Sequence, residues 1–193
     1  MSFSHDVKSE LVAYSAEARE SGQMKPCCMQ TETYALFLFC RSFSAKEMGL
    51  KTEHKGIADR YAAAVREMTG HKPKREKTAG GKYRVIVEDA VDRQAILSEF
   101  GYSGNEVNRR LNTGILQDEG CRSALLRGAF LTAGTITDPE KDYHMEYVLS
   151  TKSLCMDLCD LLTEAGLGPK YVQRNGAHVI YFKDSESVED LLT

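Results

Sequence analysis

The feature that most constrains the fold is that the sequence repeats itself. Shifted by 93 residues, Cys28 falls on Cys121, Ala35 on Gly128, Phe37 on Phe130, Leu38 on Leu131 and Ser42-Phe43 on Thr135-Ile136. Few residues are identical, so the order of elements carries more weight than the matches. Each half reads as helix, strand or strands, helix, hairpin, helix. A fixed internal period is the mark of duplicated architecture.

The elements follow from local signals. A first helix starts near Ser4, a plausible N-cap, carries Val7, Leu11, Tyr14 and Ala18 at helical spacing, and ends near Ser21-Gly22. TETYALFLFCRSF predicts a helix from about 30 to 43, and a strand is expected near 47–54. GIADRYAAAVREMTG is helical, with Ile57, Tyr61, Ala64 or Val65, and Met68 inward and Gly70 as its stop. Segments 71–78 and 82–88 form a hairpin around Ala79-Gly80-Gly81, and AVDRQAILSEFG is a further helix. The polar stretch 103–120 reads as a connection containing at most a short helix. In the second half come a helix over 121–134, the loop TITDPEKD, the strand YHMEYVLS and the helix KSLCMDLCDLLTEAG. A hairpin follows, with strands 169–175 and 177–183 turning at Asn175-Gly176, a dipeptide suited to a two-residue turn. The final SVEDLLT starts another helix.

Small residues in LLRGAFLTAG need a reason, because glycine inside a helix costs about 1 kcal/mol relative to alanine. The repeat supplies one. If one helix from each half meets at a pseudo-twofold, close approach requires small side chains at the crossing. Ala35, Gly128 and Ala129 are the expected helix–helix interface.

The chain has an ordinary globular composition, 42% apolar and 27% charged, with a net charge of −3. Any nucleic-acid contact must therefore use a local basic surface. No apolar run reaches the roughly 20 residues of a membrane span, and the start lacks the apolar core of a signal peptide, so a cytoplasmic location and no membrane partner are expected. The six cysteines, Cys27, Cys28, Cys40, Cys121, Cys155 and Cys159, show no C-x-x-C pair and have no neighbouring histidine cluster. By spacing they are buried reduced thiols, with no metal and no cofactor expected.

LRGAFLTAG resembles the LAGLIDADG helix of homing endonucleases, and the repeated element order is similar to their duplicated αββαββα fold. A longer match runs through MSFSHDVKSEL, the PCC before the first repeat helix, CRSALLRGAFLTAGTITDPEKDYHMEYVLSTK and the last hairpin. These segments resemble the WhiA family of bacterial transcriptional regulators, tied to sporulation and cell division. The resemblance implies an α+β fold: a duplicated, pseudo-twofold αββαββα arrangement, a saddle of two antiparallel sheets, with an extra N-terminal helix. It divides the chain into an N-terminal helix and lead-in (1–27), a first repeat (28–102), a connector (103–120) and a second repeat (121–193). It also implies a C-terminal helix-turn-helix domain, a form that no segment of this chain has.

Homing endonucleases of this kind carry one acid at the end of each motif helix, and the pair holds a divalent metal that activates water. The resemblance puts Cys40 and Ala133 at those positions. Neither supplies the oxygen that Mg²⁺ needs, and Glu47 and Asp138 lie beyond the helix ends. The expectation is therefore no enzymatic activity and double-stranded DNA as the partner, mainly through the full-length protein near the nucleoid. Protein partners in transcription are the alternative. In the related fold each sheet is one wall of the DNA saddle. HKPKREKTAGGKYR places Lys72, Lys74, Arg75, Lys77, Lys82 and Arg84 against a single acid, Glu76, whereas the corresponding segment of the second half holds few cations. The basic hairpin either contacts phosphates or is an edge hairpin protected by lysines. Arg41, where the first motif would end in glycine, either faces nucleic acid or pairs with a local acid, and Arg109 and Arg110 are weaker candidates.

Overall fold

The computed structural model describes residues 2–184 and 186–188. Its helices are α1 (Phe3–Glu20), α2 (Pro26–Leu38), α3 (Lys55–Thr69), α4 (Ala90–Glu99), α5 (Glu119–Ala133) and α6 (Lys152–Glu164). Its strands are β1 (Ser42–Phe43), β2 (Met48–Thr52), β3 (Lys74–Lys77), β4 (Tyr83–Ile86), β5 (Gly134–Ile136), β6 (Met145–Leu149), β7 (Lys170–Arg174) and β8 (Ala177–Phe182). The strands form two antiparallel four-stranded sheets, in the orders β1-β2-β4-β3 and β5-β6-β8-β7. The two orders are the same permutation, so the duplication read from the sequence is present in the topology.

Two compact units result. One holds Lys8–Val107 with Asn112–Thr132; the other gathers the start of α1, Asn108–Leu111 and the chain from Ala133 onward. In the first unit, α3 packs on β2 and β4 and covers one face of the sheet. That face is set by alternation along each strand: Met48, Leu50, Val85 and Val87 point into the core and are buried. Helix α2 is enclosed on all sides: every residue from Thr31 to Cys40 is buried, Glu32 among them. Phe37 packs on Tyr61 with ring centroids 4.5 Å apart, and Tyr34 on Phe100 at 5.0 Å. In the second unit α6 covers β6 and β8, burying Tyr147, Ile180 and Phe182.

Several boundaries differ from those the sequence predicts. Helix α2 starts at Pro26, four residues earlier than expected from the apolar pattern, because proline suits the first helical position, where its missing N–H is not needed. Cys27 and Cys28 thus lie in its first turn and not in a lead-in. It also ends at Leu38, and Ser42-Phe43 turns back as a strand paired with Met48 and Gly49. The 103–120 connection contains a single 3-10 turn, Thr113–Ile115, capped by Asn112. The Asn175-Gly176 turn has φ of 50° and 78° at its two residues, the positive values a two-residue hairpin requires. The helix expected over SVEDLLT lies, beyond Val188, outside the described residues.

Candidate nucleic-acid interface and motif helices

Strand register sorts the basic hairpin onto two faces. Lys74 pairs with Ile86, Arg75 with Val85, Glu76 with Arg84 and Lys77 with Tyr83. On the neighbouring strand Lys51 stands directly opposite Arg84, and Leu50 opposite Val85. Because side chains alternate, Lys74, Glu76, Arg84 and Lys51 share the face away from α3, whereas Arg75 and Lys77 share the face of Val85 and Tyr83. Arg75 accordingly pairs with Asp59 of α3. The Lys77 ammonium sits 5.5 Å from the Tyr83 ring centroid. The hairpin is not one basic surface: the pleat divides it.

Its cations have acid partners. Lys74 lies 2.8 Å from Glu76 and 3.5 Å from Glu88, Lys82 2.7 Å from Glu53, and Arg84 3.9 Å from Glu76. The hydrogen bond and charge of Lys74 hold the Glu76 carboxyl below its ordinary pKa, and Glu76 in turn raises Lys74. These pairs are exposed, and solvent screens their attraction, so a competing anion can displace them at little cost. Lys72 is exposed in the loop before β3. The charge run alone does not reveal Lys51, since it comes from β2; its alternation with Leu50 is the available signal. Arg41 is exposed in the turn between α2 and β1.

The second sheet carries a different open face. Glu146 lies 3.0 Å from His144 Nε2 and 3.0 Å from Arg174 Nη2, so its charge is met locally. Val148, Val179 and Val172 form a row across β6, β8 and β7, and Val148 and Val172 are exposed at 37% and 39%. In the connection, Arg110 makes a two-pronged pair with Asp157, both contacts at 2.8 Å, and the Arg109 carbonyl accepts from Ser153. Both arginines are thus engaged in fixing the connection to α6.

The motif helices meet closely. A β-carbon on Gly128 would stand 2.6 Å from the Glu32 carbonyl oxygen and 2.7 Å from Ala35 Cβ. Ala35 and Ala129 are fully buried. Beside this crossing lies an ionic node that the sequence does not reveal. The Glu32 carboxylate, 1% exposed, accepts from Arg127 Nε at 2.5 Å, from Arg19 Nη2 at 3.0 Å and from the Ser15 hydroxyl. Burial pushes its pKa up, but Arg127, Ser15 and Arg19 outweigh that and hold it below the ordinary value.

At the C-terminal ends of the same helices, Cys40 is buried and donates to the Leu36 carbonyl at 2.8 Å, and Ala133 is buried as the last residue of α5. Glu47 lies exposed in the β1–β2 turn. Asp138 caps the following loop by accepting from the Glu140 N–H at 3.0 Å. Of the cysteines, Cys28, Cys40, Cys121 and Cys155 are buried, but Cys27 and Cys159 are only half-buried. Among the described residues, no helix is long and apolar enough to cross a membrane.

Comparison with known proteins agrees with this geometry. Residues 122–193 match the WhiA LAGLIDADG-like domain. A probable cell division protein WhiA from Alkaliphilus oremlandii (strain OhILAs) is 31% identical over 211 residues, covering 100% of this chain and 63% of the relative. The corresponding protein from Alkaliphilus metalliredigens (strain QYMF) is 29% identical with the same coverage. The chain thus spans under two thirds of the length of these relatives. The crystal structure of the N-terminal LAGLIDADG domain of DUF199/WhiA matches with a TM-score of 0.67 at 16% identity, covering 100% of this chain and 91% of that one. The homing endonuclease I-WcaI bound to its DNA recognition sequence matches with a TM-score of 0.50 at 15% identity, covering 87% and 81%. At such identities the structural matches establish the fold alone. With the repeated topology, the close α2–α5 crossing and these matches, the chain has a LAGLIDADG-like fold and is similar along its whole length to WhiA proteins.

Proposed function

We propose that this chain is the non-catalytic, LAGLIDADG-like part of a DNA-binding regulator of cell division, and that the open face of its first sheet meets DNA phosphates. The observation that carries this reading is the Lys51–Arg84 pair, two cations directly opposite on adjacent strands. Like charges in that position destabilise a sheet, and Glu76, the acid opposite Arg84, is shared with Lys74; a phosphate between Lys51 and Arg84 would offset the remaining repulsion. Lys74 and Lys72 extend the same surface, with Lys82 and Arg41 as further contributors, and Arg75 and Lys77 are assigned to the hairpin's other face. The DNA-bound state of the endonuclease I-WcaI supports the use of this fold on DNA.

The non-catalytic part of the reading rests on Cys40 and Ala133. A thiol engaged with a backbone carbonyl and a methyl group offer no oxygen to a hard divalent cation. Double-stranded DNA is the partner, with location at the nucleoid as the consequence. Charge reversal on the open face tests the reading: Lys51→Glu with Arg84→Glu should weaken duplex binding, and unchanged affinity at low salt would reject it.

A second reading is favoured by the valine row Val148–Val179–Val172. An aliphatic stripe on the open face of the second sheet suits protein contact, with DNA bound by a helix-turn-helix domain outside this chain. Under that reading Val148→Asp changes complex formation and leaves DNA affinity intact.

A further inference from the structure

Cys28 and Cys121 are equivalent residues of the two repeats, each the third residue of its motif helix. The structure brings their sulfurs to 3.9 Å. The residues preceding the helices meet as well: Lys25 Nζ lies 2.7 Å from Asp118, whose other carboxylate oxygen accepts from the Cys121 N–H at 2.9 Å. Cys27 joins them from the first turn of α2. One ligand atom from each of Cys27, Cys28, Asp118 and Cys121 lies within 4.8 Å of the others.

We propose that these four side chains bind one zinc ion, joining the N-terminal ends of the two motif helices. Zinc takes thiolate and carboxylate ligands in a tetrahedron, and a Zn–S bond of about 2.3 Å makes each sulfur–sulfur edge about 3.8 Å. The Cys28–Cys121 separation of 3.9 Å is already such an edge, and the remaining ligand atoms need move by only about 1 Å to complete it. A pair of thiols alone would equally suit a disulfide; a third thiol and a carboxylate at the same point do not follow from that. Three soft sulfurs favour zinc over magnesium or calcium.

The surroundings match a structural site. Ala18, Met24 and Ala124 pack around Cys28 and Cys121, with Met29 and Leu116 beside them, so water has little access to those two sulfurs, whereas Cys27 is half-buried and Asp118 exposed. Two helix N-termini point at the cluster, and their partial positive charge favours thiolate against the burial that pushes the Cys28 thiol up to about 12. Binding converts three thiols to thiolates and releases three protons, leaving a zinc–trithiolate–carboxylate group with two negative charges. Lys25, in contact with Asp118, offsets one of them. Local spacing cannot show this site, because one ligand pair and the other are joined only by the fold. The resulting clamp would hold α2 to α5 at the end opposite Cys40 and Ala133.

The test uses the whole chain, reduced and stripped of metal, titrated with Co²⁺ under anaerobic conditions. The expected result is one cobalt per chain, with a thiolate-to-cobalt charge-transfer band, the intense visible bands of tetrahedral cobalt, and their loss on adding Zn²⁺. Cys121→Ser should weaken binding by more than the roughly 10–100-fold that removal of a mere supporting group costs, whereas Cys155→Ser should not change it. Asp118→Asn, which still caps α5, keeps the chain folded and should shift the visible bands if the carboxylate is a ligand. The wild-type titration decides the matter even if a cysteine variant fails to fold. Absence of the charge-transfer band in the reduced wild-type chain, or a Cys28–Cys121 disulfide as the sole chemistry with no metal held after purification, overturns the proposal.

Discussion

Gly128 lies so near Ala35 that any side chain at 128 would have to push the motif helices apart: an added Cβ would be 2.7 Å from Ala35 Cβ and 2.6 Å from the Glu32 carbonyl oxygen. The second contact is with backbone, which cannot rotate away. Gly128→Leu should therefore lower stability by at least the roughly 1–3 kcal/mol typical of overpacking. Gly128→Ala combined with Ala35→Gly should recover only part of the loss of Gly128→Ala, because the Glu32 carbonyl remains. Thermal and urea unfolding of the three variants measure both effects, and an unchanged melting temperature for Gly128→Leu would contradict the geometry.

Glu32 and Arg127 make a buried pair across the same crossing, with Arg19 as a second cation. Breaking a buried pair leaves an uncompensated charge and costs about 3–5 kcal/mol. Glu32→Gln should therefore be among the most destabilising single changes in the first unit at neutral pH. The pH dependence follows from the depressed Glu32 pKa. The pair's stabilisation is fully present above the ordinary glutamate value of 4.5 and is lost as the pH falls below that through the folded-state value. The wild type and Glu32→Gln should thus differ strongly in urea midpoint at pH 7 and converge in acid. A difference that does not shrink would mean that the substitution acts through packing and not through charge.

The legibility of these features in the sequence is uneven for physical reasons. The duplication, the hairpins and the need for small residues at 128 are written in periodicity and turn chemistry, which are local. The Glu32 node is not, because Ser15, Arg19, Glu32 and Arg127 come from three helices and look like ordinary surface charges on each. The basic hairpin reads as one charged run, yet the pleat sends Lys74 and Arg84 one way and Arg75 and Lys77 the other. Lys51 enters only when β2 is found beside β4. The apolar pattern places the start of α2 too late because its first turn is proline and cysteine, with the pattern beginning beyond them.

The C-terminal ends of the motif helices lead to a prediction about chemistry. Cys40 and Ala133 present a buried thiol and a methyl at the positions where the resemblance to homing endonucleases would put the metal-binding acids. With Mg²⁺ or Mn²⁺, which need oxygen ligands, supercoiled plasmid incubated with the purified chain should remain supercoiled. Metal-dependent nicking that co-purifies with the chain and disappears in Glu47→Gln or Asp138→Asn would show that an acid beyond the helix end has taken over the role.

The two faces of the basic hairpin give the sharpest functional experiment, because they differ in position and not in charge. Lys51→Glu with Arg84→Glu alters the open face; Arg75→Glu with Lys77→Glu changes the same formal charge on the α3 side. If phosphates are met on the open face, only the first pair should lower affinity for duplex DNA in fluorescence anisotropy. It should also flatten the dependence of log K on log salt by about 0.9 for each phosphate that is no longer neutralised. A general attraction of DNA to net positive charge would move both pairs alike. DNA binding that does not use this sheet at all would leave both pairs unchanged. Measured side by side, the pairs separate specific use of the sheet from bulk electrostatics and from the protein-contact reading.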